Sequence, residues 1–404
     1  MKKVMIFWIF LVFFIVSACN GTEQQNFLQE DWTTIEEVAE NTKVRIFMWG
    51  GDEGVNQYIA QYVAPLMNEK HGINLVRTPM DINEVLQKLL TEKNANIENG
   101  TIDIIWINGE NFYNAKTNDL LLGAFTPLLP NFQQYIDETL YQYDFGTAVD
   151  HLEAPWGRVQ FVFHYDSEKV SVPPKTVEEL AEWVRENRGK FTYPDANDFT
   201  GNAFLRHLLY EFLEEELLLG DRFDEQALNQ ASIQMWGYLN EIKPYLWRNG
   251  ETYPQSLAQL DQLFSQGEVY MTMGFNEARA ESLIESGVFP ASTKSFILDV
   301  GSIGSTHYLS VPFNSPNQAG ALVTINELLS PDAQRMKMAP SMWGENTVLS
   351  MNLLTEQQEK QFQEVDRGES VLPSETFDDT MLQELSSEYI EWLKEKWFSE
   401  VIQN

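Results

Sequence analysis

Short apolar runs alternate with amphipathic stretches along most of the chain. Residues 44–49 form an apolar run, interrupted only by Arg45, that stops at Gly50 and Gly51, as a buried strand would. In 54–71, Val55, Ile59, Tyr62, Val63 and Leu66 recur at helical spacing. A strand at 74–77, a helix at 82–93, a strand at 101–107 and a helix opening at 110–116 follow. This alternation predicts a parallel α/β sheet. Residues 120–149 are richer in loops and aromatic side chains, and 159–164 read as a strand leaving a Pro/Gly turn. A second α/β region then begins, with a helix at 177–186, a strand at 190–193, and helices at 201–219, 225–242 and 254–266. Strands at 269–273 and 295–300 flank a helix at 276–286. A further strand in "STHYLSVPFNSP" leads to a helix at 318–329. The expected fold class is α/β: two doubly wound α/β lobes joined by a hinge. Lobe 1 would comprise 43–155 plus 305–345, and lobe 2 would comprise 156–304. Residues 346–404 would be a helical segment packed on both, and the crossings would lie near 156–165 and 296–309.

The N-terminus departs from this rhythm. Lys2 and Lys3 precede an unbroken apolar run over 4–16, too short to span a bilayer comfortably. Ser17, Ala18 and Cys19 follow, and the run 16–19 resembles a bacterial lipobox. That resemblance implies a signal peptide over 1–18, cleavage before Cys19 and lipid attachment to its sulfur. Several acyl chains anchor stably at ~0.8 kcal/mol per buried CH₂. Residues 19–42, polar and acidic, read as a lipid-anchored tether with a short helix at 33–40, the fold proper starting at Val44.

Charge narrows the partners. The formal net charge is -33 over 404 residues, so neither nucleic acid nor an anionic lipid surface is an expected partner. A neutral or cationic ligand fits better, although the same charge also serves solubility. Cys19 is the only cysteine, which excludes disulfides, zinc thiolate sites and a cysteine nucleophile. Five histidines without HExxH spacing point to no metal site, and no cofactor is expected.

In open α/β sheets ligands sit beyond the carboxyl ends of strands, at the switch point. Here the first and third strands end in "WGGDEGVN" and "WINGENF". Trp49, Gly50, Gly51 and Asp52 would therefore neighbour Trp106, Asn108, Gly109, Glu110 and Asn111 on one wall of a cleft. The glycine spacing is not GxGxxG and no GK[ST] follows, so a nucleotide loop is a poor reading. Asp52 and Glu110 each suit two roles, capping a helix or facing a cation. Lobe 2 offers Asp198, Thr200 and Gly201 after one strand, and Phe275, Asn276 and Glu277 after another, with the same two readings. Trp156 stands at the first crossing. Aromatic residues make up 13% of the chain. A few of them facing acids in a cleft would hold an organic cation at ~0.5–2 kcal/mol each.

No GxSxG or Ser/His/Asp pattern stands out, and His164 and His307 read as packed side chains. The lipobox, two lobes, "APWG" before a crossing strand, and "HYLSVPFNSPNQAGALVTINELLSPDAQ" resemble the extracellular solute-binding proteins of bacterial ABC importers, of type II periplasmic-binding-protein fold. "WGGD..N", "IDIIWINGENF", "DFTG" and "WG.NTVL" resemble a thiamine-type transport subgroup of that family. The resemblance implies a non-enzymatic, monomeric receptor on the outer face of the cell membrane. It would capture a small polar solute, such as an organic cation of the thiamine type, and hand it to an ABC permease by hinge closure. Thiamine-degrading enzymes of like fold use a cysteine nucleophile, which is missing here. The alternative is a secreted lipoprotein enzyme acting on a cell-wall or sugar substrate with paired carboxylates.

Overall fold

The computed structural model describes residues 27–403 except Asp52, residues 220–222, Ser374 and Asp379. The expected signal peptide over 1–18, Cys19 and Asp52 thus lie outside the described residues. Three strands, β1 (Lys43–Met48), β2 (Asn74–Pro79) and β3 (Ile104–Ile107), pair in parallel with β1 in the middle. A small hairpin, β4 (Tyr143–Asp144) and β5 (Thr147–Ala148), follows. Its two turn residues, Phe145 at φ 44° and Gly146 at φ 77°, are both left-handed, as a tight hairpin requires.

Two long strands then tie the molecule together. The 13-residue β6 (Ala154–Asp166) pairs through its first half with β9 (Ser302–Ser310). Through its second half it pairs with β7 (Met271–Phe275) on one side and β8 (Thr293–Phe296) on the other, antiparallel in both cases. β9 also pairs antiparallel with β3, and its first residues pair with β10 (Met381–Leu382). The register of β6 slips between Pro155 and Gly157, so a bulge falls on Trp156. Bulges re-aim side chains, and Trp156 is fully buried.

The cores lie at opposite ends of these two strands. One face of the β1–β3 sheet carries Ile46, Tyr58, Leu322 and Trp343, and the other carries Phe47, Leu89 and Phe112. The other end packs Phe163, Phe204, Leu239 and Phe264. Three elements differ from the sequence expectation. The fold begins before Val44: the helix Trp32–Ala39 buries Ile35 and Ala39 against the helix Gln318–Leu328, so 32–39 is core and not tether. The segment 190–193, buried from Phe191 onward, forms no strand. Its carbonyls at Lys190 and Phe191 accept from Tyr270 and Trp247, two isolated bonds and no ladder. The C-terminal segment is divided between the cores, Phe362 joining the first and Tyr389, Trp392, Leu393 and Trp397 the second.

Candidate functional site

The carboxyl ends of β1 and β3 open onto a cleft of about 520 Å³. Residues from both cores and both crossing strands line it. The glycines after β1 serve an aromatic ring. A Cβ on Gly51 would lie 2.3 Å from Cζ2 of Trp49, and one on Gly50 would lie 2.8 Å from the Pro79 Cβ. The bare backbone lets Trp49 fold over its own loop while remaining 55% exposed in the cleft wall. Asn56 Nδ2 donates to the Gly50 carbonyl at 3.0 Å and steadies that turn.

After β3, Asn108 is extended and Gly109 left-handed at φ 58°, with the Phe145 ring at 3.4 Å from where a Cβ would sit. A side chain at Gly109 would be strained on both counts. Glu110 and Asn111 then open a helix whose first turn faces the cleft. The Gly109 N–H donates to Asp144, a carboxyl 3% exposed. Burial pushes Asp144 up to about 8, against the pull of the Gly109 N–H, and it pushes the neighbouring Glu153 well above the carboxylate range. Both oxygens of Glu153 are buried without a hydrogen-bond partner among the described residues.

The sign of the resulting pH dependence is fixed. An Asp144 pKa raised in the fold contributes stability that is full below the unfolded value of about 3.9. That stability is lost as pH rises towards about 8. Asp144→Asn removes this slope, so its melting temperature relative to the parent should climb between pH 5 and pH 8. A difference that stays flat over that range would contradict the buried, protonated carboxyl.

The floor of the cleft is a stack. The His307 ring lies 4.8 Å from Trp106 and 6.2 Å from Trp343, nearly parallel to the latter at 12°. Trp156 packs beneath, 5.4 Å from Trp106 and 4.9 Å from Trp343. His307 Nδ1 is 3.0 Å from Oε1 of Glu345, a side chain 1% exposed. Lys337, also buried, donates to the Trp156 carbonyl at 2.6 Å. Burial lowers its pKa to about 7 despite the opposing pull of Glu345.

Lobe 2 supplies the facing wall. Asp198 caps the helix Phe199–Phe212 through Thr200 N (2.9 Å) and Gly201 N (3.0 Å). Its other oxygen accepts from Leu257 N at 3.1 Å. The capping reading therefore describes Asp198, and Phe199 and Thr200 are the residues at the cleft. Asn276, left-handed at φ 71°, lines it beside Phe275 and donates to the Trp343 carbonyl at 3.3 Å. Of the expected residues, Trp49, Trp106, Asn108, Gly109, Glu110, Asn111, Thr200, Phe275 and Asn276 line this cleft.

Gly50, Gly51, Asp198 and Gly201 are not among the residues that line it, and Trp156 and Glu277 are fully buried. Burial raises the Glu277 carboxyl, with Arg367 as its strongest opposing charge. Sequence reasoning missed Phe145, Phe199, Arg279, Ser305, His307, Trp343 and Glu345. It also missed Ile390, Glu391 and Lys394 on the helix Ser387–Trp397. Phe199 and Arg279 lie within two residues of positions that strand-end reasoning selected, whereas the C-terminal helix gave no local signal. Among the described residues no group of three or more His, Cys, Asp or Glu could hold a metal ion, and no helix is long and apolar enough to cross a membrane.

Comparison with known sequences places this geometry. The family described as Bacterial extracellular solute-binding protein matches residues 61–349. The chain belongs to that family. Its members bind small solutes and work with membrane importers. This solute-binding protein is 35% identical over 336 residues to Protein YnjB of Escherichia coli (strain K12), covering 82% of this chain and 86% of that one. The fold is shared with an ABC transporter protein from Clostridium perfringens ATCC 13124, at TM-score 0.60 and 16% identity, covering 88% of this chain and 98% of that one. It is shared too with the spermidine/putrescine ABC transporter substrate-binding protein PotD of Streptococcus pneumoniae strain Canada MDR_19A, at TM-score 0.63 and 16% identity, covering 90% and 98%. A periplasmic thiamin binding protein aligns at TM-score 0.55 and 15% identity, covering 89% and 94%. The type II periplasmic-binding-protein fold and the role of substrate-binding component follow.

Proposed function

We propose that this solute-binding protein captures a small organic cation in the cleft, without catalysis, and delivers it to an ABC permease. It would work as a monomer, held at the outer face of the membrane by lipid on Cys19. The observation that carries the reading is the charge balance of the aromatic cleft. Arg279 pairs with Asp261, Lys394 with Glu391 and His307 with Glu345, so each base at the cleft is already matched by an acid. Glu110 has no ion-pair partner among the described residues and stands on the wall with Trp49, Trp106, Phe199 and Phe275. An acid among ring faces favours a cation over an anion or a neutral solute. Two of the like-folded proteins are named for cations, spermidine/putrescine and thiamin. The alternative of a secreted lipoprotein enzyme with paired carboxylates is less supported, because Glu345 and Glu391 are engaged by bases and are not available as a catalytic pair.

The test is thermal unfolding of ligand-stripped protein with thiamine, spermidine, putrescine and neutral sugars. A cation at about 100 times its Kd should stabilise by ~2.7 kcal/mol. Glu110→Gln should weaken that cation by roughly tenfold, in keeping with a lost charge-assisted contact. No shift with any cation, or an unchanged affinity in Glu110→Gln, would remove the reading.

A further inference from the structure

His307 reaches the cleft from β9. One edge of its ring is turned towards Glu345, with Nδ1 lying 3.0 Å from Oε1 and 3.2 Å from Oε2. The fold makes room for this pair. Gly157, the β6 partner of His307, has no side chain, and a Cβ there would stand where the tip of Glu345 lies. Trp106 and Trp343 flank the ring and hold its orientation. Nε2 has no hydrogen-bond partner among the described residues, and 19% of the side chain is exposed. That nitrogen is the one left open to the cleft.

The bond made by one ring nitrogen sets the state of the other. An ionised carboxylate accepts and cannot donate. The proton of a neutral His307 therefore sits on Nδ1, and Nε2 keeps its lone pair. We infer that His307 determines specificity by accepting a hydrogen bond at Nε2 from an N–H or O–H of the solute. Glu345 is the positioning residue that keeps it an acceptor. The inference rests on the cation reading and narrows its class: the solute carries a donor hydrogen beside its positive charge, as a protonated amine does. A fully alkylated ammonium can meet Glu110 and the indoles, but it leaves Nε2 unpaired. In a cleft closed over the solute, an unpaired acceptor costs more than a missing contact. An anion is disfavoured on the same ground, because its lone pairs would face the one on Nε2.

Nitrogen NMR of the ligand-free protein, labelled at histidine and held at about pH 8, reads the tautomer directly. His307 should show a protonated Nδ1 and an unprotonated Nε2. A proton on Nε2, alone or together with one on Nδ1, would overturn the inference. Calorimetry then compares putrescine with its fully N-methylated, bis-quaternary form. Putrescine should bind at least roughly tenfold more tightly, in keeping with a charge-assisted hydrogen bond. Methylation also adds bulk, so the ratio is measured again in two variants. His307→Phe keeps a ring between the indoles without an acceptor. Glu345→Gln keeps His307 but removes the carboxylate that fixes its tautomer, so Nε2–H should appear in its spectrum. The ratio should fall towards one in both, and either variant serves if the other fails to fold. Equal affinities in the parent, or a ratio that survives in the folded variants, would overturn the role of His307 and leave the cation reading intact. Binding of neither probe to the parent would overturn the cation reading, and this inference with it.

Discussion

Replacing Arg206 with alanine should destabilise the protein by about 3–5 kcal/mol, the usual cost of stripping one partner from a buried ion pair. Arg206 is fully buried in the helix Phe199–Phe212 and pairs through Nε with Glu384, whose side chain is 5% exposed. Its Nη1 donates to Asn202 Oδ1 at 2.6 Å, and its guanidinium lies 5.6 Å from the centre of the Phe199 ring. Burial already pushes the Glu384 carboxyl up, and Arg206 is what opposes that. Without the arginine, Glu384 must either stay charged in an apolar site or take up a proton. Urea unfolding at pH 7 measures the loss, which should shrink at acid pH as Glu384 is neutralised. An apolar double replacement, Arg206→Met with Glu384→Leu, should recover much of it. A loss under about 1 kcal/mol for Arg206→Ala would show that the pair is not desolvated. Solute affinity should fall too, because Glu384 leads into the helix that brings Glu391 and Lys394 to the cleft.

Gly157→Ala should reach the cleft floor from the other side. A Cβ at Gly157 would stand 1.6 Å from Oε1 of Glu345 and 2.6 Å from its Cδ. The tip of a glutamate ordinarily swings away, but this one is 1% exposed and held by His307. Overpacking of this kind costs about 1–3 kcal/mol. Displacing the carboxylate also releases His307 from its place between Trp106 and Trp343, so affinity for the solute should drop together with stability. A double-mutant cycle with Glu345→Ala separates the cause: the cost of Gly157→Ala should nearly vanish in that background. Equal costs in both backgrounds would place the strain in the β6 backbone.

The lobe 1 wall of the cleft was legible because its signals are local. An apolar run ending in glycine or asparagine marks a strand end, and the parallel pairing of β1 with β3 brings two such ends together. The same rule over-reached where burial decides. Asp198 and Glu277 follow apolar runs as Asn108 does, yet one spends its carboxylate on backbone N–H groups and the other turns inward towards Arg367. Arg367 is remote in sequence, and no spacing announces it. The run at 190–193 shows a similar limit, since a buried extended segment and a ladder-forming strand share one apolar pattern. His307 was read as packed, and it is half so: its ring is stacked between indoles while one edge borders the cleft. The face of the helix Ser387–Trp397 that meets the ligand wall is set by its packing on lobe 2, which periodicity cannot locate.

The order in which the cores are supplied has a consequence for how the chain comes apart. The first core draws on Ile35 to Trp156 and again on Tyr308 to Phe362, while the second draws on Phe161 to Leu298 and again on Leu385 to Val401. Each is therefore finished by chain synthesised after the bulk of the other. No single cut yields an intact half: severing the last twenty or so residues strips the second core of Trp392 and Trp397 while leaving the first covalently whole. A nascent chain still tethered by its final turns must leave the second apolar interior unsealed after the first is complete, and a protease that trims the C-terminus would disable solute capture from the end of the sequence most distant from Trp49.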